Sequence, residues 1–218
     1  MKIKIALSIT AAFLGINCSL LAQTDTKAKG ILSEVSKKYQ SFNAIKVDFL
    51  YTIDNPQAKI KDTQAGTLLV LSKTNKYRVS VKGQELISDG KVQWTYLKSD
   101  KEVQINSVDP STNALNPAKL FTIYEKGFKY LYAGDSKNNG KEYYVIDLAP
   151  LDDKHSFFKI RLQINKQTKL IDNALIFDKN GNRYTYAIKS FSTNVKVTDA
   201  TFTFNVKEHP GVEVVDLR

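Results

Sequence analysis

From Ala44 onwards, apolar side chains recur at every second position in most of the chain, and this period of two most limits what the chain can fold into. It is clear over residues 47–53, 76–81 and 92–96, where apolar and polar residues alternate. Such alternation builds a sheet with one apolar and one polar face. We predict roughly ten or eleven strands in one large antiparallel sheet, which at that size has to curl or close. Three dipeptides predict tight turns between strands: Asp89-Gly90, Asn139-Gly140 and Asn180-Gly181.

Helical periodicity is confined to two places. Residues 25–42 carry apolar side chains at helical spacing, so we predict an amphipathic helix there that Asp25 or Thr26 caps. Pro117 stands where the first turn of a helix favours proline, and residues 118–129 predict a short helix that passes into a strand at Phe128. At the other end of the chain, residues 200–209 read as a closing strand that ends in a turn at Pro210-Gly211.

The first 22 residues read as a signal peptide rather than as part of the fold. Basic residues precede an apolar stretch over 5–16, which is too short to span a membrane, and Ala22 suits the last position before cleavage. The remaining residues, 23–218, show no linker and are predicted to form one domain of an exported, periplasmic protein. Cys18 is discarded if cleavage follows Ala22; the alternative is that Cys18 is the lipid-modified first residue of a lipoprotein.

The composition predicts a protein with a basic surface. The formal net charge is +10, and the lysines are scattered along the predicted strands, as on an ordinary solvated surface. Attraction to an anionic membrane surface or to an acidic protein is the alternative. Because export separates the protein from nucleic acid, we expect no nucleic-acid partner.

The residues that catalysis or metal binding would require do not occur in a recognisable arrangement. Of the two histidines, His155 lies in a polar loop and His209 next to the Pro-Gly turn, and neither has metal-ligand spacing to another ligand. Motifs for zinc proteases, serine hydrolases and phosphate loops are missing from the sequence. We therefore expect no enzyme activity, no catalytic residues, no metal and no cofactor.

Aromatic residues are frequent on the alternating positions, with 11 Tyr, 11 Phe and one Trp in the chain. A packed core explains such side chains, and so does a cavity that holds acyl chains. Periodicity alone leaves both explanations open.

An ordered set of short segments runs through the chain from the first predicted helix to the C-terminus. These are Phe42-Asn43-Ala44 with Val47 and Phe49, Gly66-Thr67-Leu68, Lys73-Thr74-Asn75-Lys76-Tyr77-Arg78, Ser88-Asp89-Gly90-Lys91 with Trp94 and Tyr96, Asn116-Pro117, Asn180-Gly181, and Phe202 and Phe204 with Pro210-Gly211-Val212. Their combination resembles the LolA family of periplasmic lipoprotein carriers. The resemblance implies an α+β, mainly β fold: a single strongly curved antiparallel sheet that forms an unclosed β-barrel with a helical lid over an apolar cavity.

The resemblance also implies roles for particular residues. The aromatic residue that faces the cavity in this family corresponds to Tyr77. The basic residue that latches the lid corresponds to Lys73 or Arg78; a lysine lacks the planar fork of arginine, and a solvated charge is the alternative role for Lys73. The predicted lid residues are Leu120, Phe121, Ile123 and Tyr124. The predicted cavity-lining residues are Val47, Phe49, Tyr51, Tyr77, Val79, Trp94 and Tyr96.

The function that the resemblance implies is transport of acylated lipoproteins across the periplasm. The cargo would come from an inner-membrane lipoprotein-releasing ABC transporter and pass to the outer membrane, where an acceptor would receive it, and we expect the carrier to act as a monomer. Two alternatives stay open. One is an envelope-stress sensor that binds a partner protein, and the other is a carrier of a different amphiphile such as a glycolipid.

Overall fold

The computed structural model describes residues 25–108, 121 and 123–218, most of which lie in strands. The chain begins with helix α1 (Thr26–Gln40). The strands follow as β1 (Ala44–Asn55), β2 (Ile60–Leu71), β3 (Lys76–Val81), β4 (Gln84–Asp89), β5 (Val92–Leu97), β6 (Glu102–Ser107), β7 (Phe128–Asn138), β8 (Lys141–Pro150), β9 (Phe157–Asn165), β10 (Ile171–Asp178), β11 (Arg183–Thr193) and β12 (Glu213–Asp216). Short 3-10 helices cover Ile123–Glu125, Asp199–Phe202 and Val206–Glu208.

All twelve strands belong to one sheet, in the order β12-β6-β5-β4-β3-β2-β1-β11-β10-β9-β8-β7. Each consecutive pair in this order is hydrogen-bonded, but the edge strands β12 and β7 are not neighbours, so the sheet curls without closing. The curved, unclosed β-barrel predicted above is confirmed. The count of twelve slightly exceeds the predicted ten or eleven strands. The polar residues 61–64 also lengthen β2 beyond the apolar residues that mark it in the sequence.

The C-terminal segment differs from the prediction. Residues 199–202 form a 3-10 helix instead of the expected strand, although the turn at Pro210-Gly211 is present. The final strand β12 pairs with β6 in parallel, whereas every other pairing is antiparallel. A parallel partner requires a long connection, and residues 194–212 supply it by crossing one face of the sheet before the chain reaches the edge of β6.

Helix α1 agrees with its prediction, and Asp25 rather than Thr26 caps it. The Asp25 carboxylate accepts hydrogen bonds from the backbone N–H groups of Lys27 and Ala28, at 2.8 and 3.1 Å. These bonds satisfy donors that the first helical turn leaves without partners. One side of the helix is buried, and it consists of Ala28, Ile31, Leu32, Val35 and Tyr39.

Some predictions fall on residues outside the described ranges, namely 1–24, 109–120 and 122. They are the signal peptide, the fate of Cys18, the helix start at Asn116-Pro117, and Leu120 as a lid residue. Within the described part of the chain, no helix is long and apolar enough to cross a membrane. The predicted passage into a strand at Phe128 is confirmed by the start of β7.

Two buried apolar clusters lie on the two faces of the sheet. The larger one contains side chains of α1 together with residues of β1–β3 and β7–β10. Contacts that join strands so far apart in the sheet order require the sheet to curl around this cluster, and we call this side the inner face. The smaller cluster, on the outer face, joins Ile87 and Val103 to Phe204 of the crossing segment.

Candidate functional site

The inner face is the candidate site because it gathers apolar side chains from both halves of the sheet. The strand register decides which residues belong to it, since directly paired residues point to the same side. Val47 pairs with Leu68, Leu68 with Val79, and Val79 with Leu86. One continuous apolar row therefore runs across four neighbouring strands.

The start of α1 is attached to the free edge of the sheet. The Asp25 backbone N–H donates to the carbonyl of Tyr130 at 3.2 Å, and the Asp25 carboxylate accepts from the backbone N–H of Tyr132 at 3.0 Å. The hydrogen bond from Tyr132, with those from the first helical turn, lowers the pKa of Asp25 below its usual range. A single residue thus caps the helix and holds it against edge strand β7.

The end of α1 covers part of the inner face through Tyr39. Its ring stacks on Phe121 with the centroids 4.5 Å apart and meets Phe191 edge-on at 5.7 Å. Its hydroxyl accepts a hydrogen bond from the backbone N–H of Ile171 at 3.1 Å. Burial raises the pKa of Tyr39 far above that of a free phenol. The ring is neutral and fills the space between helix and sheet.

Two of the predicted lid residues, Phe121 and Tyr124, are buried in the same cluster as α1. The Ser36 hydroxyl of α1 lies 3.3 Å from the Tyr124 hydroxyl, and the Tyr130 hydroxyl donates to the Tyr124 carbonyl at 2.6 Å. Ile123, the third described lid residue, lies in the 3-10 helix Ile123–Glu125. The segment around Tyr124 therefore joins α1 to the sheet.

Another part of the inner face is only half-buried. Here the rings of Tyr51 and Tyr186 lie 5.0 Å apart, and Tyr184 stacks parallel to Tyr51 at 6.2 Å. Val79 on β3 and Leu86 on β4 pack against the same inner-face cluster and are also half-buried. Apolar surface at the inner face thus remains accessible to a ligand without any unfolding of the sheet.

A glycine shapes the middle of this face. Phe49 on β1 is paired directly with Gly66 on β2, and its ring lies over the glycine. A Cβ at position 66 would come within 2.5 Å of the Phe49 ring and 3.0 Å of Val81. Gly66 is therefore required for the close approach of the ring to the sheet.

Tyr77 lies on the inner face, in the apolar cluster, and is 2 % exposed. Its hydroxyl donates a hydrogen bond to the Gln93 side-chain carbonyl at 2.6 Å, and burial raises the pKa of Tyr77 to about 12. Val47 and Phe49 are buried in the same cluster, and Tyr51 and Val79 pack against it. These five predicted cavity residues come together on one face of the sheet.

Trp94 and Tyr96 lie on the other face, so the prediction that they line the same cavity as Tyr77 is wrong. Tyr77 pairs with Ser88, and Ser88 pairs with Gln93, which puts Gln93 on the inner face and its neighbour Trp94 on the outer face. Side chains alternate along a strand, so one residue of difference in register reverses the face. On the outer face, Tyr96 packs against the rings of Phe204 and His209 at 5.1 and 4.7 Å, and Trp94 lies in the same cluster.

The two latch candidates have different surroundings. Arg78 points to the outer face, where its guanidinium contacts Glu85 at 2.5 Å and the Thr201 carbonyl at 3.5 Å. It faces away from α1 and Phe121, so the predicted latch role of Arg78 does not agree with its position. Lys73 is exposed in the turn between β2 and β3 with a φ of 62°, and its latch role stays a prediction.

Several inner-face residues were not predicted from the sequence. Leu86, Tyr184 and Tyr186 line the half-buried region, and Phe191 contacts Tyr39 in the covered region. Tyr184 and Tyr186 follow the same alternation as the residues that were chosen. The missing signal was the pairing of β11 with β1, which no local pattern specifies.

The inner face has the chemistry of a binding surface. Burial disfavours the phenolate and raises the pKa values of Tyr124 and Tyr186. Among the described residues, no group of three or more His, Cys, Asp or Glu side chains could hold a metal ion. The arrangement can shield apolar groups from water and offer a few phenolic hydroxyls as hydrogen-bond partners.

The fold and this face define a binding protein of the unclosed-barrel class, in which a curled sheet and a helix enclose apolar surface. Residues 40–205 match the model of the family described as outer membrane lipoprotein carrier protein LolA. The match covers most of the chain, and the chain belongs to the LolA family. The resemblance stated from the sequence is confirmed.

Similarity to individual proteins agrees with this assignment. The outer-membrane lipoprotein carrier protein of Pasteurella multocida (strain Pm70) is 24% identical over 189 residues, which cover 85% of this chain and 87% of the relative. An uncharacterized conserved protein from Thermus thermophilus shares the fold with a TM-score of 0.59 and 13% identity, over 87% of this chain and 99% of that one. MucB does so with a TM-score of 0.50 and 15% identity, over 88% of this chain and 66% of MucB.

Proposed function

We propose that this protein is a periplasmic carrier that binds the acyl chains of lipoproteins and delivers them to the outer membrane. The observation that carries the proposal is the inner face, which is continuous and apolar and is only partly covered by α1. The family match and the relative from Pasteurella multocida support a carrier of lipoproteins in particular. No catalytic step belongs to this role.

The physical need for a carrier follows from the cost of exposing acyl chains to water. Each buried CH₂ group contributes about 0.8 kcal/mol, so a chain of a dozen carbons is held in a membrane by about 10 kcal/mol. A lipoprotein with several chains would not cross an aqueous compartment unaided. A carrier has to cover the chains and still release them, which favours a cavity that opens over a tight pocket.

The structure suggests how such a cavity would fill. Acyl chains would first contact the half-buried region beside Tyr51 and Tyr186. Further space would come from separating α1 from the sheet. This movement would break the Tyr39–Phe121 stack and the hydrogen bond from Ile171 to Tyr39. Opening would uncover the buried apolar side of α1, and acyl chains that take its place would offset that cost.

The proposed cavity residues are Val47, Phe49, Tyr51, Tyr77 and Val79, with Phe121 and Tyr124 as parts of the lid. The proposed partners are acylated lipoproteins, an inner-membrane lipoprotein-releasing ABC transporter and an outer-membrane acceptor. The protein would work as a monomer after removal of residues 1–22.

Mass spectrometry of material that co-purifies with the exported protein tests the cargo. Acylated lipoproteins are expected. Free glycolipid alone would replace the proposal with a carrier of another amphiphile. An empty protein that also fails to extract lipoprotein from membranes with the transporter and ATP would contradict carriage, and a sensor that binds a partner protein would then explain the fold.

A pair of variants tests the inner face directly. Val79→Glu places a charge among the half-buried inner-face residues, and Thr63→Glu places the same charge at an exposed position on the outer face of the adjacent strand β2. We expect Val79→Glu to reduce lipoprotein release from membranes at least about tenfold, because an unpaired charge in an apolar site is costly, whereas Thr63→Glu keeps wild-type transfer. Equal transfer by both variants at matched protein levels would contradict the site.

A further inference from the structure

The outer face of β7–β9 exposes large apolar side chains. Leu131 is 58% exposed and Phe158 is 53% exposed. Between them lies a mostly apolar groove of about 400 Å³, which Lys129, Ala149 and Lys159 also line. This surface is on the opposite side of the sheet from the proposed cargo site, and cargo binding does not explain it.

A local irregularity of the sheet directs Phe158 outwards. The register between β9 and β10 shifts between the pairs Phe177–Lys159 and Asp178–Phe157, so Phe158 is the extra residue of a β-bulge. Phe157 is buried on the inner face, while Phe158 points out and its ring lies 6.0 Å from Phe177. Bulges redirect side chains, and here the result is an aromatic ring in solvent.

The charges around the groove are mainly positive. Lys129, Lys159 and Arg161 oppose one carboxylate, that of Asp147, which leaves a net charge of +2 on these four residues. Asp147 is occupied by Arg161 through two hydrogen bonds, at 2.7 and 2.8 Å, and lies 3.9 Å from the Lys159 ammonium. Lys159 thus shares this single carboxylate with Arg161, and the charge beside the exposed Leu131 and Phe158 stays net positive.

We propose that this surface, defined by Lys129, Leu131, Phe158 and Lys159, docks the protein on an anionic membrane. Lipid phosphates would meet the lysine ammonium groups, and Leu131 and Phe158 would enter the boundary between headgroups and acyl chains. Lysines next to exposed apolar residues suit this interface because their stems lie along apolar surface while the charge reaches the phosphates.

The shape of the surface favours a bilayer over an acidic protein as the occupant. The outer face of a curled sheet is convex, so it touches a flat bilayer at a few protruding residues. A stable protein partner would bury on the order of 800 Å² of this chain, which requires a matching concave surface. Docking through the outer face would leave the inner face free for cargo.

Co-sedimentation with lipid vesicles tests the proposal on the exported protein. Wild type should bind vesicles of phosphatidylglycerol, bind phosphatidylcholine vesicles weakly, and lose most binding at about 0.5 M salt because screening removes the electrostatic part. The variant Leu131→Ser/Phe158→Ser keeps the net charge and should bind about tenfold more weakly, since the apolar insertion is lost. Its matched control is Ile60→Ser/Val214→Ser, which removes two exposed apolar residues elsewhere and should bind like wild type.

A second pair of variants distinguishes binding through this surface from a general attraction between the basic protein and anionic lipid. Lys129→Glu/Lys159→Glu should abolish binding to phosphatidylglycerol, whereas Lys61→Glu/Lys82→Glu, with the same change of net charge, should weaken it much less. Equal effects of the two pairs, or wild type that ignores anionic vesicles, would overturn the proposal. A third outcome is that wild type binds polyglutamate but not vesicles, with the Leu131→Ser/Phe158→Ser variant binding neither. That result would overturn the proposal and identify an acidic protein as the occupant.

Discussion

The two halves of the sheet are covered on opposite faces. In β7–β10, the inner face lies under α1 and the residues around Tyr124, and most of its apolar side chains are buried, while the outer face exposes Leu131 and Phe158. In β3–β6, the crossing segment before β12 covers the outer face, while Val79 and Leu86 on the inner face are half-buried.

This difference shows how an open sheet of twelve strands leaves room for binding. A sheet buried on both faces would have no accessible apolar surface, and a sheet buried on one face would have only a solvated second face. Here α1 covers the inner face of β7–β10, and the crossing segment before β12 covers the outer face of β3–β6. The half-buried inner face is the proposed cargo site, and the uncovered outer face is the proposed membrane contact.

The largest effect is expected where the crossing segment covers the outer face. Phe202 is fully buried there, so Phe202→Ala should lower the free energy of unfolding by about 3–5 kcal/mol. Phe158→Ala, which removes the same ring from the uncovered half, should cost no more than about 0.5 kcal/mol. Urea denaturation of both variants measures the difference. Similar losses would mean that the two halves of the outer face are not covered differently.

A second pair compares the inner face of the two halves. Leu148 lies on β8 in the covered half and is fully buried, so Leu148→Ala should destabilise the protein by about 2–5 kcal/mol. Leu86 lies on β4 in the half-buried region, and Leu86→Ala should cost only about 1 kcal/mol, since that side chain is only partly buried. The midpoints of thermal unfolding should separate accordingly. A larger loss for Leu86→Ala would contradict the proposed accessible site.

The smallest effect is expected at the junction of α1 with β7. Three backbone N–H groups stabilise the charged form of Asp25 and lower its pKa. The contribution of Asp25 to stability is therefore present above the usual pKa of about 4 and is lost as the pH falls through the lowered pKa. Asp25→Asn removes the charge, so wild type should have the higher Tm at pH ~7. This advantage should shrink towards pH ~2, and a difference that does not change with pH would contradict the assignment.

Much of the sheet could be predicted because its signals are local. The alternation of β1, β3 and β11 and the turns at Gly90, Gly140 and Gly181 are properties of neighbouring residues, and the structure confirms them. Helix α1 carries its own cap and its own apolar side. The first half of β2 was missed since its exposed residues are polar and carry no apolar alternation.

The cargo site was only partly predictable, as β5 demonstrates. Its alternation is clear in the sequence, but which of its two sides is the inner one depends on whether Ser88 pairs with Gln93 or with a neighbour. For β5 the prediction chose the wrong side. For β1 and β3 it chose the side that belongs to the inner-face cluster.

The sequence by itself determined the strands, the first helix, the tight turns and the membership of a carrier family, because period, capping and turn chemistry act between residues close in the chain. The tertiary structure decided which side of each strand faces inwards, where the C-terminal segment crosses, and which half of the sheet stays accessible on each face. These depend on register and on contacts between distant residues such as Tyr39 and Ile171. A shift of one residue reverses a strand without changing its local pattern.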